Sequence, residues 1–187
     1  MSTADQDKDL IARIAAKEHE AMQALFARHN VRVFRFLMGR MRNEAHAEEL
    51  TNEVFLEVWK HAGRYEGRSA VSTWVLAIAH NMAMSQLRKR KEDELEDGAA
   101  EQVADDSDDP ETSAQKRSKA EVMREVIDRL SDEHREVIDL VYYHEKSVRE
   151  VSEIVGIPEA TVKTRMHYAR KSLGEMMKEA GIDRGWP

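Results

Sequence analysis

The chain has 187 residues, 41% of them hydrophobic and none of them cysteine. That gives room for one domain or two small ones, and excludes disulfides, thiolate zinc sites and cysteine nucleophiles. The net charge of −7 sits unevenly: residues 1–92 carry 15 Lys/Arg against 12 Asp/Glu, residues 93–117 carry 2 against 10, and residues 118–187 carry 12 against 14. One acidic stretch therefore sets the sign, while the flanking segments are near neutral with local basic clusters. Such a chain should bind DNA weakly alone and need a partner to position it. No apolar run approaches the length of a membrane span and the polar N-terminus is no signal peptide, so a cytoplasmic protein without membrane contact is expected.

Helical spacing dominates the first half. Residues 8–29 read as one helix through Leu10, Ile11, Ile14, Met22, Leu25 and Phe26. Val31–Met41 continues with Val33, Phe34, Leu37 and Met38 on one side and arginines mostly on the other. In Ala45–His61, Leu50, Val54 and Val58 stand four apart, with Glu48, Glu49, Glu53 and Glu57 along a neighbouring face. A polar loop spans 62–69, and Thr73–Lys91 is helical with a basic end at Arg88-Lys89-Arg90-Lys91. Residues 92–115 hold one Leu, one Val and no aromatic residue. They cannot bury enough apolar surface to offset ordering, which predicts a flexible acidic linker. Helical pattern resumes near Lys116, and Ser131-Asp132-Glu133 caps a helix over His134–His144. Strand patterns are almost absent. The expected fold is all-α, with two small helical domains joined by the linker.

The most informative stretch is Ser147–Leu173. Ser147 and Glu150 form a capping box signature; Val148, Val151 and Val155 mark an apolar face. Gly156-Ile157-Pro158 stops one helix and starts the next. Val162, Met166, Ala169 and Leu173 then share a face, with Thr161, Lys163, Thr164, Arg165, His167, Arg170 and Lys171 around the rest. This is a helix-turn-helix whose second helix is apolar inside and basic outside, suited to a major groove.

Three motifs in order carry a family resemblance. Residues 47–55, AEELTNEVF, are similar to region 2.2 of extracytoplasmic-function (ECF) sigma factors of the sigma-70 family. Tyr65–Trp74 with Ile78-Ala79-His80-Asn81 resembles regions 2.3–2.4, and 156–170 resembles region 4.2. His46, Asn52 and Glu159-Ala160 depart from the usual pattern. The resemblance implies a sigma2-like domain over 1–92, a linker over 93–115 that threads the polymerase cleft, and a sigma4-like domain over 116–187. It implies docking on the β′ clamp helices of core RNA polymerase through Glu48, Glu49, Leu50, Asn52, Glu53, Phe55 and Glu57. The −10 element would be read by Tyr65, Arg68, Ser69, Ser72, Asn81, Ser85, Arg88, Lys89 and Arg90, and melting would flip a base into a pocket at the 65–72 loop. The −35 element would be read by Thr161, Lys163, Thr164, Arg165, His167, Tyr168, Arg170 and Lys171. Further implied partners are the β flap and an anti-sigma factor.

The alternative is a stand-alone helix-turn-helix regulator, which would need its own dimer interface and a more basic binding unit. An enzyme is set aside: no His has Glu three residues before it, as a di-iron bundle requires, and no Gly-rich phosphate loop or nucleophile elbow occurs. No cofactor or metal is expected.

Overall fold

The structure, a computed structural model, describes residues 3–96 and 119–181. These form two helical units. The first holds α1 (Thr3–Ala15), α2 (His19–Met41), α3 (Glu44–His61) and α4 (Val71–Glu96). The second holds α5 (Lys119–Asp128), α6 (Asp132–Ile138), α7 (Val148–Val155) and α8 (Glu159–Glu179). Among the described residues there is no strand.

The expected single helix over 8–29 is two helices. Lys17 adopts a left-handed conformation, φ 68°. Its N–H bonds Ile14 O at 2.9 Å and the Glu18 N–H bonds Arg13 O at 3.1 Å, which closes α1 as a left-handed C-terminal cap. Glycine usually fills that position. Here tertiary contacts hold the lysine: Nζ donates to Trp59 O at 3.1 Å and lies 5.1 Å from the Trp59 ring centre. Asn43 caps α3 by accepting from His46 N–H at 3.0 Å.

The first core gathers Ile14, Leu25, Val33, Phe36, Leu37, Leu50, Val54, Val58 and Leu76, all 1% exposed or less. Full burial of such side chains contributes roughly 1.5–3 kcal/mol each. Helix α4 runs on to Glu96. The first four residues of the expected linker, 93–96, are therefore helical, because Glu, Asp and Leu extend an existing helix at little cost. The rest, 97–115, lies outside the described residues.

In the second unit Ser131 caps α6, as expected. The helix expected over 134–144 instead starts at Asp132 and widens into a π turn over Asp139–Tyr143, where His144 N–H reaches Asp139 O at 3.1 Å. The widened turn ends at Glu145, φ 54°, and the Lys146 N–H returns to Leu140 O at 2.9 Å. The capping box at α7 is complete: the Glu150 N–H donates to Ser147 Oγ at 3.3 Å, and the Ser147 N–H to Glu150 Oε2 at 3.0 Å. Gly156, φ 72°, is the left-handed C-cap. Val137, Leu140, Val151, Ile154, Val162, Ala169 and Leu173 fill the interior of the second unit, in one cluster with the buried residues of the first. The two units touch: α7 lies along α4, and α6 approaches α2.

Candidate nucleic-acid interface

On α3, Glu48, Glu49 and Asn52 are exposed, with Glu53 and Glu57 half-exposed. Leu50 and Phe55, expected on the same docking face, are instead buried. Phe55 packs edge-on to Phe26 at 4.8 Å. Their work is to seat α3 on α2, which leaves its acidic side outward. Leu56, at 57% exposed, is the apolar residue on the outer face. Glu57 is paired with Lys60 at 2.7 Å and His61 at 3.1 Å. The Lys60 hydrogen bond leads in lowering its pKa below the usual value. Its charge is thus compensated locally, and Glu49 and Glu53 carry more of the face's net charge.

The 65–72 loop is tied by the Tyr65 hydroxyl, which donates to Ser69 O at 2.5 Å. Burial pushes that hydroxyl's pKa upward. The Tyr65 and Trp74 rings lie 5.3 Å apart, so Trp74 supports the loop from a half-buried position. Arg68 extends into solvent beside Glu66 at 2.7 Å. Ser72 points elsewhere, accepting from Lys146 Nζ at 2.8 Å across the boundary between units. Along α4, Asn81 is exposed and Ser85 half-buried, followed by exposed Arg88, Lys89 and Arg90.

On α8, Lys163, Thr164, His167, Tyr168, Arg170 and Lys171 are exposed, and Thr161 is half-buried. Val162, Met166, Ala169 and Leu173 hold the opposite face in the core. Arg170 donates to the Tyr142 hydroxyl at 3.0 Å. Arg165 departs from the expected outward set: it pairs with Glu133 at 3.0 Å and lines a cleft with Asn81, Ser85 and Arg88 of α4.

The boundary between units is polar and partly buried, and sequence reasoning missed it. Glu136 is 4% exposed; His80 Nδ1 lies 2.7 Å from its Oε1 and Arg40 3.5 Å from its Oε2. Both His80 and Glu136 stand on otherwise apolar stripes, with Leu76 and Ala83 on one and Leu140 on the other, which was the available signal. In a second cluster, Lys146 Nζ donates to Ser72 Oγ, to Thr73 Oγ1 at 3.0 Å and to Glu150 Oε1 at 3.1 Å, while Thr73 donates to Glu150 Oε1 at 2.7 Å.

Burial lowers the Lys146 pKa, with Glu150 opposing it. At Glu150 burial raises the carboxyl pKa, but hydrogen bonds from Ser147, Thr73 and Lys146 outweigh it and bring it to about 2 from 4.5. A depressed carboxyl pKa contributes stability above its unfolded value that is lost as pH falls through the folded value. In thermal unfolding, Glu150→Gln should therefore cost most above about pH 4.5, and the gap to the parent should close as pH falls toward 2. A gap independent of pH over that window would show that the carboxylate's charge contributes nothing.

Two family models match this chain: Sigma-70 region 2 over residues 25–92 and Sigma-70 region 4 over residues 126–175. A relative at 31% identity, the ECF RNA polymerase sigma factor SigK of a Mycobacterium species (strain KMS), aligns with 88% of this chain and 86% of its own length. The chain belongs to the ECF group of the sigma-70 family. As a sigma factor it works with core RNA polymerase and promoter DNA in transcription initiation, and the stand-alone regulator is set aside because both sigma regions share one chain. It is also similar to SigL of Mycobacterium tuberculosis, 29% identical over 93% of this chain and 98% of the relative, and to SigW of Bacillus subtilis, 25% identical over 92% and 97%. Solved structures share its fold, two of them as follows. One is the sigma factor RpoE with the anti-sigma factor NepR from Bartonella quintana (TM-score 0.69, 23% identity, 87% of this chain and 98% of that one). The other is CnrH with the cytosolic domain of CnrY (TM-score 0.67, 20% identity, 93% and 98%). No helix among the described residues of this sigma factor is long and apolar enough to cross a membrane.

Proposed function

We propose that the two units divide the promoter between them. The outer face of α3, with Glu48, Glu49, Asn52, Glu53 and Leu56, docks on the polymerase β′ clamp helices, and the second unit meets the β flap. Tyr65, Arg68 and Ser69 with Asn81, Ser85 and Arg88–Arg90 take the separated −10 strand. The basic side of α8 reads duplex −35 DNA by base edges, phosphates and groove shape. The domains on this reading are 1–92 and 116–187, joined by 93–115, and the protein acts in the cytoplasm under an anti-sigma factor. This chain catalyses no reaction of its own.

The observation that carries the reading is the separation of chemistry: an acidic outer face on α3, hydrogen-bonding groups on α4, and cations on α8, each on an element inside a matched sigma region. The test uses holoenzyme on duplex and pre-melted promoter templates. Lys163→Ala with Arg170→Ala should weaken closed-complex formation on duplex and lower the salt slope by about one per lost phosphate contact. Asn81→Ala should spare duplex binding and slow opening, and a pre-melted −10 bubble should rescue it only in part. The reverse pattern would show that the two roles are exchanged.

A further inference from the structure

The cleft where α2 meets the end of the π turn differs in charge from the other clefts at the unit boundary. It holds about 350 Å³; Arg28, His29, Arg32 and Arg35 of α2 line one side, and Tyr143 and His144 the other. No lining residue is acidic. The neighbouring clefts both carry carboxylates, Asp128, Glu136 and Asp139 in one and Asp132, Glu133 and Glu136 in the other. The volume falls at the lower end of the range for small-molecule sites, about 300–1,000 Å³.

Asp7 reaches in from α1 and pairs with Arg28 at 3.0 Å and His29 at 2.8 Å. Its charge is engaged there. Arg32 and Arg35 are exposed, and among the described residues no carboxylate pairs with either. Side chains three apart on a helix stand about 5–6 Å apart at Cβ, so these two guanidiniums can converge on one anion. Burial chiefly lowers the pKa of Lys146 and of His29, and Arg32 pushes both the same way, so its field is felt across the cleft. Opposite, Tyr143 is 74% exposed and offers an aromatic ring at the rim. His144 is buried, and its Nε2 makes no hydrogen bond: Asp139 Oδ2 lies 3.2 Å away but out of line. Such buried orphans are few in folded proteins, and a ligand oxygen is one partner that satisfies them.

From this we infer that the cleft between α2 and the π turn binds a compact polyphosphate, with Arg32 and Arg35 as its clamp. A guanidinium presents N–H donors in a fixed fork that matches phosphate oxygens two at a time. A lone carboxylate would satisfy one such fork, whereas a di- or triphosphate carries charge and oxygens for both. Two sources share that chemistry, inorganic pyrophosphate and the phosphate tail of a nucleoside triphosphate. RNA synthesis consumes the second and releases the first, so both are present where a sigma factor works. Tyr143 favours the nucleotide, because its ring gives a base a face to stack on. A track for duplex backbone fits less well: the cleft is walled on both sides, and Arg28, the third arginine of the row, is held by Asp7. The site uses no residue assigned above to promoter or polymerase, so it stands or falls apart from those roles.

Isothermal titration of the full chain with sodium pyrophosphate, and separately with ATP, tests the site. Each probe should bind saturably, and more weakly as salt is raised. Arg32→Ala with Arg35→Ala should weaken both by about tenfold or more, since each removes a charge-assisted hydrogen bond. Both positions are exposed on a helix that alanine favours, so the variant should keep its fold, with circular dichroism as the check. Arg32→Lys with Arg35→Lys keeps the charge without the fork and should fall between parent and alanine variant. Tighter binding of ATP than of pyrophosphate, abolished by Tyr143→Ala, makes the nucleotide the ligand. Equal affinities indifferent to Tyr143→Ala assign the site to pyrophosphate. No saturable heat with either probe, or binding that the double alanine variant leaves unchanged, would overturn the site. A duplex oligonucleotide that loses affinity in that variant while neither phosphate probe binds would also overturn it, and make the arginine row a contact for DNA backbone.

Discussion

Replacing Glu49 and Glu53 together by arginine is expected to weaken binding to core RNA polymerase by at least about a hundredfold, since like charges placed in contact across an interface cost several kcal/mol. Both side chains lie on the outer side of α3, opposite buried Leu50, Val54 and Val58. Helicity and unfolding temperature should therefore stay close to the parent's. Glu57→Arg should matter less, because Lys60 already pairs with that carboxylate and His61 lies 3.1 Å from it. Leu56→Asp should also reduce affinity, since it removes the exposed apolar contact of the face. A titration of labelled sigma factor with core enzyme measures all three, with circular dichroism as the folding control. Unchanged affinity in the double arginine variant would remove the docking assignment from α3.

The second half of the fold was legible because its signals are local. Ser147, Glu150 and Gly156 act within a few residues of themselves, and the structure realises each as a cap. The exposed cations of α8 likewise followed from spacing against Val162, Met166, Ala169 and Leu173. What escaped the sequence depends on residues far apart in the chain. Lys17 turns left-handed with support from Trp59, forty-two positions away. Phe55 belongs to an acidic motif but faces Phe26. Arg165 looks like any cation on the basic side of its helix until Glu133 and α4 are placed beside it. The boundary clusters are the extreme case. Lys146 precedes a helix cap and reads as loop, and only the packing of α7 on α4 gives its ammonium Ser72 and Thr73 as partners.

Phe36→Ala should give the largest loss of stability of any single change considered. Its ring is fully buried in the core on α2 of the first unit and meets His144 of the second. Removing a buried aromatic ring costs about 3–5 kcal/mol, the lost transfer energy plus the cavity left behind. A domain's whole stability is about 5–15 kcal/mol, so the variant should sit near its unfolding threshold. Phe36→Leu keeps most of the volume and should cost less than about 1.5 kcal/mol. Urea unfolding followed by tryptophan fluorescence would separate them: the midpoint should fall for both, far more for Ala, with the slope unchanged if the native state stays compact. Trp59 and Trp74 report on the first unit, where Phe36 sits. A loss below about 1 kcal/mol for Phe36→Ala would mean that neighbouring side chains collapse into the space, which the rigid four-helix packing argues against. The unit boundary adds a second consequence. His144 loses the aromatic edge it rests on, so the contact between the two units should loosen before the first unit unfolds. A single thiol placed at the unit boundary by Ser85→Cys, in a chain with no other cysteine, should then react faster with maleimide in a Phe36→Ala background at urea concentrations below the fluorescence transition. Coincident changes in both signals would instead make the two units a single cooperative block.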